Sequence, residues 1–489
     1  MSPVRKLIGT LAALAVAAVT AVGVAAPAAA VPDTIPLTIT NDSDRGGPVY
    51  LYVLGEQNGR LGYADASGAF HPWPSAGEVP VPAPDASIPG PAQGESITIQ
   101  MPKLSGRVYF SYGEKLNFQI VLDGRLVQPA VQNPTDPNRD IMFSWTEYTL
   151  NDAGLWINST QVDFFSAPYQ TGLRKADGTV ISTGMLKPDG FQNVISALDG
   201  TPGWDNLVQR APNGEVLRVL SPGHAIGVGQ IAADVLDDYV DRVWAHYSNE
   251  SMTVRPYSYD PGTVFTGRVS GDVMTFTDGS GAQVATFNKP SSDSIFGCHN
   301  DLAAPNDDVG AISRTLCAGF HRSTLLLGSE QPTQDPAAFY QDPVTNYYAK
   351  FVHEQMVDGR AYAFAFDDVV AQESLVHDGN PTAAYIKLDP FAGATTPIEG
   401  STPAAATQDA GTPAPAAASE TATADAAEAP AEEGATAPAG TATADASATE
   451  SETASSGAGS SETAPAKTEK PKKTFFVQVG DWFGTLKFW

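Results

Sequence analysis

The sequence predicts a mainly β protein with an inserted mixed α/β lobe, covering about residues 31–391 of the 489-residue chain. Short segments that alternate apolar and polar residues with a period of two fill the first third of the chain. The middle shows helical periodicity instead, and β-type alternation then returns. We therefore expect a β barrel or sandwich at 31–184 with return strands near 360–391, and an α/β lobe at about 185–359. Two such lobes leave a wide groove between them.

The β part rests on five segments of alternating pattern, separated by glycine, proline and asparagine clusters. These predicted strands lie at 35–40, 48–54, 96–101, 107–112 and 117–122. Many short strands at close spacing are typical of a sandwich or a barrel.

The α/β lobe rests on three helical patterns. Asp189 is a candidate helix cap for a helix ending at Leu198, residues 233–247 place apolar side chains on one face, and residues 346–356 follow a similar pattern. Strands are predicted at 263–269 and 273–277, and a further strand at 360–366.

The first thirty residues predict an exported protein. Arg5 and Lys6 precede an apolar run from Leu7 to Ala26, and small residues follow at 28–30, where a signal peptidase would cut. We therefore predict a signal peptide at 1–30, a secreted protein and no transmembrane segment. Cys298 and Cys317 fit this route, because a close cysteine pair in an oxidising compartment usually forms a disulfide.

The C-terminal composition changes sharply at Ala392. Residues 392–471 are rich in Ala, Thr, Pro, Ser and Glu, so they predict a disordered acidic linker. Residues 472–489 begin with two lysines and then concentrate aromatic side chains, which indicates an exposed contact surface, for example for a cell-envelope partner, or else a terminal strand.

Charge and motifs exclude several classes of function. The formal net charge of −27 argues against a nucleic-acid partner, which requires basic patches. The common nucleotide, zinc and serine-hydrolase signatures are absent, so we expect no cofactor and no metal. We expect a monomer.

One aromatic-rich region suggests catalysis. Glu147 and Asp163 lie in β-like segments dense in Trp, Tyr, Phe, Thr and Asn, a mixture that binds sugars, and a carboxyl pair can cut a glycosidic bond. A tight hairpin at 152–154 would however place Glu147 opposite Asn158. Asp163 would then lie five residues further along, roughly 17 Å away. The pair therefore requires the second segment to bulge, bend or pair elsewhere.

These residues resemble a known family. Thr146–Asn151 and Val162–Pro168 resemble the segments that supply the acidic cleft of thaumatin-like proteins. Together with segments at 59–74, 190–193 and 361–368, they are similar to glycoside hydrolase family 64, bacterial β-1,3-glucanases with a thaumatin-like barrel and a mixed α/β domain. The similarity covers about residues 34–391.

The resemblance implies roles for particular residues. Glu147 matches the family's general acid and Asp163 its general base in an inverting reaction, which requires carboxyl groups about 6.5–9.5 Å apart. Thr149, Asn151 and Trp156 match positions that line the glucan groove. The implied activity is endo-type cleavage of β-1,3-glucan to short laminari-oligosaccharides. A non-catalytic, thaumatin-like glucan-binding envelope protein is the alternative.

Overall fold

The computed structural model describes residues 30–403, and the signal peptide predicted at 1–30 and the aromatic segment at 472–489 lie essentially outside that range. Within it, the chain is built mainly of β-sheets with few helices. Across residues 30–403, no helix is long and apolar enough to cross a membrane.

Two large sheets form the β part. The first contains six strands in the order β25-β15-β14-β24-β1-β7. Their bounds in chain order are β1 Thr34–Asn41, β7 Ser96–Pro102, β14 Tyr169–Lys175, β15 Val180–Thr183, β24 Pro381–Leu388 and β25 Ser401–Pro403.

The second large sheet has the order β23-β12-β11-β8-β2-β3-β4, with β6 paired to β2. Its strands are β2 Val49–Gln57, β3 Arg60–Ala64, β4 Phe70–Pro72, β6 Ile88–Pro89, β8 Ser105–Tyr112, β11 Met142–Asn151, β12 Gly154–Ser159 and β23 Leu375–Asp378. Alternate residues of β11 separate two environments. Tyr148 and Leu150 pack in the core between the two large sheets, whereas Phe143 and Trp145 belong to a second core on the other face.

Three smaller sheets complete the β-structure, with the orders β10-β9-β5, β13-β17-β16 and β21-β20-β19-β18-β22. Their strands are β5 Val81–Pro82, β9 Gln119–Ile120, β10 Leu126–Val127, β13 Phe164–Phe165, β16 Val208–Arg210, β17 Val216–Leu220, β18 Met252–Val254, β19 Phe265–Ser270, β20 Val273–Thr277, β21 Gln283–Asn288 and β22 Glu330–Gln331.

The α-helices lie between β15 and β23. They are α1 Gly190–Asp199, α2 Pro222–Ile226, α3 Asp237–Asn249, α4 Ser292–Gly297, α5 Asp308–His321 and α6 Tyr347–Gln355. Short 3-10 helices occur at Leu122–Gly124, Asp205–Leu207, Asn300–Leu302 and Pro336–Ala338. The predicted helices at 189–198 and 346–356 are confirmed within one residue, and the third begins at Asp237, four residues after the predicted start. Asn346 caps α6 by accepting a hydrogen bond from the Ala349 N–H, 3.1 Å away.

The strand predicted at 360–366 is wrong. These residues are all buried and form an irregular segment, because the carboxylate of Asp367 turns the chain back by accepting the Ala363 N–H at 2.9 Å. The predicted strand at 117–122 is reduced to β9.

The linker predicted at 392–471 begins too early. Residues 392–403 pack onto the fold: Ile398 is buried, and β25 pairs in parallel with β15. The Lys387 ammonium also donates to the Thr396 carbonyl at 2.7 Å. The remainder of the predicted linker lies outside the described residues.

The disulfide predicted between Cys298 and Cys317 is present and links α4 to α5. His321 lies beside it. Because both sulfurs are in the disulfide, this cluster offers no thiolate for a zinc ion.

Candidate active site

The hairpin formed by β11 and β12 places Glu147 opposite Asn158, as its tight turn requires. The turn depends on Gly154, whose φ is +134°, and a Cβ there would meet the Asp378 carbonyl oxygen at 2.3 Å. The simple pairing holds as far as Ser159. Asp163 therefore does not reach Glu147 through a changed register within the hairpin.

The chain instead leaves the sheet after Ser159. Gln161 donates its N–H to the Tyr362 carbonyl at 2.8 Å, and Phe164 and Phe165 then pair with β17. The Asp163 carbonyl accepts the Ser221 N–H at 3.0 Å, which anchors this residue to the end of β17. The bend thus depends on partners more than fifty residues away in sequence.

This bend brings the two carboxylates together around Arg107 of β8. Arg107 Nη2 lies 3.2 Å from Glu147 Oε1 and 3.8 Å from Asp163 Oδ2, so these oxygens are no more than about 7 Å apart. A straight continuation of the strand would have separated them by roughly 17 Å, so the second segment bends, as the pair requires.

Arg107 is itself held in place. Its guanidinium donates to Gln128 Oε1 at 2.6 Å and lies over the Trp145 ring at 4.7 Å from the centroid. The second oxygen of Glu147 accepts from the Asn158 side-chain amide at 3.2 Å. Glu147 is therefore oriented by one charged and one neutral donor.

Asp163 is oriented by His224, whose Nε2 lies 2.9 Å from Oδ1. The Asp163 side chain is only 16% exposed. Burial raises the pKa of Asp163, but the hydrogen bond and charge of His224, together with the charge of Arg107, outweigh burial and lower the pKa below its ordinary value. An aspartate in this environment stays ionised in mildly acidic solution.

Three further predicted site residues lie on β11 and β12. Glu147, Thr149 and Asn151 are spaced two residues apart, so they share one face, and Trp156 lies opposite Thr149. Trp156 stacks on His377 with ring centroids 4.0 Å apart. Thr149 is buried and bonds Ser105, with the two hydroxyl oxygens 2.8 Å apart.

Asn151 has a local structural contact as well. Its side-chain oxygen accepts the Ala153 N–H at 2.8 Å and so stabilises the hairpin turn. The structure brings Thr149 and Trp156 next to the Glu147–Asn158 pair, whereas Asn151 lies at the turn end of the hairpin.

Sequence reasoning missed Arg107, His224 and His377. A signal existed for Arg107, because an arginine within an apolar strand pattern requires a buried acidic partner. No local signal marks His224, which lies in the short helix α2, 61 residues from Asp163.

Two carboxylates within about 7 Å, beside aromatic rings and amides, are the kind of arrangement that glycoside hydrolases use. The β-1,3-glucanase family model of glycoside hydrolase family 64 matches residues 33–388, and the chain belongs to this family. It is therefore an enzyme, which argues against the non-catalytic alternative.

Individual relatives agree with this assignment. A glucan endo-1,3-β-glucosidase of Cellulosimicrobium cellulans is 60% identical over 394 residues, which are 80% of this chain and 71% of the relative. A crystal structure of a laminaripentaose-producing β-1,3-glucanase in complex with laminaritetraose is 60% identical, with a TM-score of 0.72, over 74% of this chain and all of that one. A β-1,3-glucanase domain from Clostridium beijerinckii is 26% identical, with a TM-score of 0.59, over 73% of this chain and 98% of that one.

Proposed function

We propose that this protein is a secreted, inverting, endo-acting β-1,3-glucanase in which Glu147 is the general acid and Asp163 the general base. The observation that carries the proposal is the meeting of the two carboxylates at Arg107, although the hairpin alone would keep them apart. The upper bound of about 7 Å between Glu147 Oε1 and Asp163 Oδ2 is compatible with the spacing of roughly 5–5.5 Å in retaining enzymes and with the short end of the range of about 6.5–9.5 Å in inverting enzymes. The inverting course therefore rests on the family resemblance.

The proposed reaction starts from the form of the enzyme–substrate complex in which Glu147 is protonated. Glu147 then donates its proton to the glycosidic oxygen as the bond from that oxygen to C1 breaks. A water molecule attacks C1 from the opposite face and gives a proton to Asp163. The lowered pKa of Asp163 suits this role, because a base must be ionised before it can accept a proton. Arg107 reduces the repulsion between the two carboxylates and fixes their separation.

The proposed substrate is β-1,3-glucan and the proposed products are short laminari-oligosaccharides. The support is the family, the relatives named above and the neighbour solved with laminaritetraose. We propose that Thr149, Asn151 and Trp156 line the glucan groove, since they share a sheet face with Glu147. A thaumatin-like barrel and a wide groove between the lobes belong to the same proposal.

Export is also part of the proposal. It is supported by the apolar N-terminal run and by the Cys298–Cys317 disulfide, since disulfides persist in oxidising compartments.

The roles are tested with Glu147→Gln and Asp163→Asn on laminarin, measuring released reducing ends. Each substitution should lower kcat by at least about 10²-fold, the lower end of the range for general acid–base catalysis. An aryl β-1,3-gluco-oligosaccharide with a good leaving group separates the two roles. Since a good leaving group departs without a proton, Glu147→Gln should recover activity on it and Asp163→Asn should not. Full activity of either variant on laminarin would reject the assignment.

A further inference from the structure

The contact between His224 and Asp163 joins two parts of the chain. Asp163 follows the β11–β12 hairpin, whereas His224 lies in α2, which follows β17. The Nε2–Oδ1 distance is 2.9 Å, and both side chains are mostly buried, 22% exposed for His224 and 16% for Asp163. Since an ionised carboxylate only accepts hydrogen bonds, His224 Nε2 must be the donor.

The backbone builds this contact. β13 pairs with β17 through Phe164–Leu220 and Phe165–Val219, and the Ser221 N–H then donates to the Asp163 carbonyl. Three residues later the His224 N–H donates to the Ser221 carbonyl at 3.1 Å. The strand end that anchors the main chain of Asp163 therefore also presents the imidazole to its side chain.

We propose that His224 is a positioning residue for the glucanase reaction, fixing the carboxylate of Asp163 in the orientation and the ionised form in which it accepts the proton of the attacking water. The proposal rests on the role of Asp163 as general base. Nothing in the reaction requires His224 to touch the substrate. Its contribution is made through Asp163.

The charged surroundings of Asp163 explain why His224 matters. Arg107 of β8 lies 3.8 Å from Asp163 Oδ2 and also contacts Glu147 of β11 at 3.2 Å, so its charge is shared between two carboxylates. Tyr348 of α6 is a further titratable neighbour of Asp163, and burial raises its pKa well above the ordinary value, so it is a neutral phenol. His224 bonds the carboxylate of Asp163 at 2.9 Å, whereas Arg107 Nη2 lies 3.8 Å from the other carboxyl oxygen.

The test uses His224→Ala and His224→Gln in the full-length chain, with kcat and KM on laminarin measured across pH. His224→Ala should lower kcat about 10–100-fold with little change in KM, because a misplaced group costs rate more than binding. It should also shift the acid limb of the kcat/KM profile to higher pH. Glutamine can donate a hydrogen bond but carries no charge, so His224→Gln should recover part of kcat and move the acid limb part of the way back toward the wild-type position.

His299→Gln is the matched control. His299 also pairs with an aspartate, with Nε2 3.1 Å from Asp293 Oδ2, and its side chain is 23% exposed. It lies in the α/β part of the chain near α4, so the substitution removes a histidine–aspartate pair outside the site, with a histidine of similar exposure and a more exposed aspartate, 47% for Asp293. We expect an unchanged pH profile and unchanged kcat.

The outcomes separate the two proposals. If Asp163→Asn is inactive but His224→Ala keeps kcat and the acid limb, His224 is not a positioning residue and the general base stands. If His224→Ala loses activity without a shift of the acid limb, and glutamine restores nothing, the role is structural and the inference is wrong. If Asp163→Asn is fully active, both the proposed base and the inference fail.

Discussion

Replacing Arg107 with methionine should destabilise the protein, because it removes the cation shared by two carboxylates. At an effective dielectric constant of 20, unit charges 3.2 Å and 3.8 Å apart attract by about 5 and 4 kcal/mol, and two carboxylates 7 Å apart repel by about 2 kcal/mol. Desolvation of the guanidinium cancels most of this attraction. With the three side chains 16–22% exposed, we expect a loss of about 3 kcal/mol in the free energy of unfolding at pH 7, the low end for breaking a buried pair.

The assay is urea denaturation at pH 7, repeated in steps toward lower pH. The pKa of Asp163 is lowered in the fold, so its contribution to stability is present above the ordinary value of 3.8 and is lost as the pH falls through the lower folded value. The destabilisation by Arg107→Met should therefore shrink in strongly acidic solution.

The matched control is Arg210→Met. Arg210 lies 2.7 Å from Asp199, but the two side chains are 42% and 41% exposed, so the loss should stay below about 1 kcal/mol. If Arg107→Met costs no more than Arg210→Met at pH 7, the argument that Arg107 holds the two carboxylates together is refuted.

Two further predictions concern stability. Burial and the nearby Asp368 raise the pKa of Glu373 from 4.5 to about 8, so the folded state keeps a proton that the unfolded state loses, and stability falls as the pH rises between these values. Glu373→Gln should remove about 2 kcal/mol of this fall in the free energy of unfolding between pH 5 and pH 7, measured by urea denaturation. Glu78→Gln, at an exposed position, should leave the fall unchanged. Parallel pH dependences of Glu373→Gln and wild type would contradict the raised pKa of Glu373. Replacing Cys298 and Cys317 with serine should lower the free energy of unfolding by about 3 kcal/mol, because the disulfide closes a loop with a sequence separation of 19. A loss under about 1 kcal/mol would show that the disulfide contributes little to stability.

Local sequence patterns predicted much of the fold. Alternation located β1 and β7, and it also located β2 and β8, although these two strands are buried on both faces. Helical periodicity located α3, which buries one face against the core. The candidate cap Asp189 makes no side-chain capping bond, and its carboxylate instead accepts the Gly393 N–H at 2.6 Å. Asn346, not predicted as a cap, caps α6.

The failures involve contacts between distant segments. Residues 360–366 alternate like a strand, yet Asp367 is fully buried between Arg322 and His353, and this buried network folds the segment into turns. Residues 392–403 have the composition of a linker, but Gln170 and Lys387 bond the Thr396 carbonyl and hold the segment against the sheet.

In the candidate site too, local patterns predicted the elements close in sequence and missed the contacts between distant segments. The hairpin and its turn followed from Asp152–Gly154, and the resemblance pointed to Glu147 and Asp163. The bend after Ser159 depends on Tyr362 and Ser221, which no local pattern connects to it. Arg107 and His224 reach the carboxylates only because that bend forms.

The configuration of the first product tests the central claim most directly. Laminarin is digested in an NMR tube and the anomeric protons of the new reducing ends are followed before mutarotation. Direct attack by a water activated by Asp163 inverts C1, so the account predicts that the α-anomer appears first. First appearance of the β-anomer would mean a covalent intermediate and would contradict the assignment of Glu147 and Asp163 as acid and base of a single displacement.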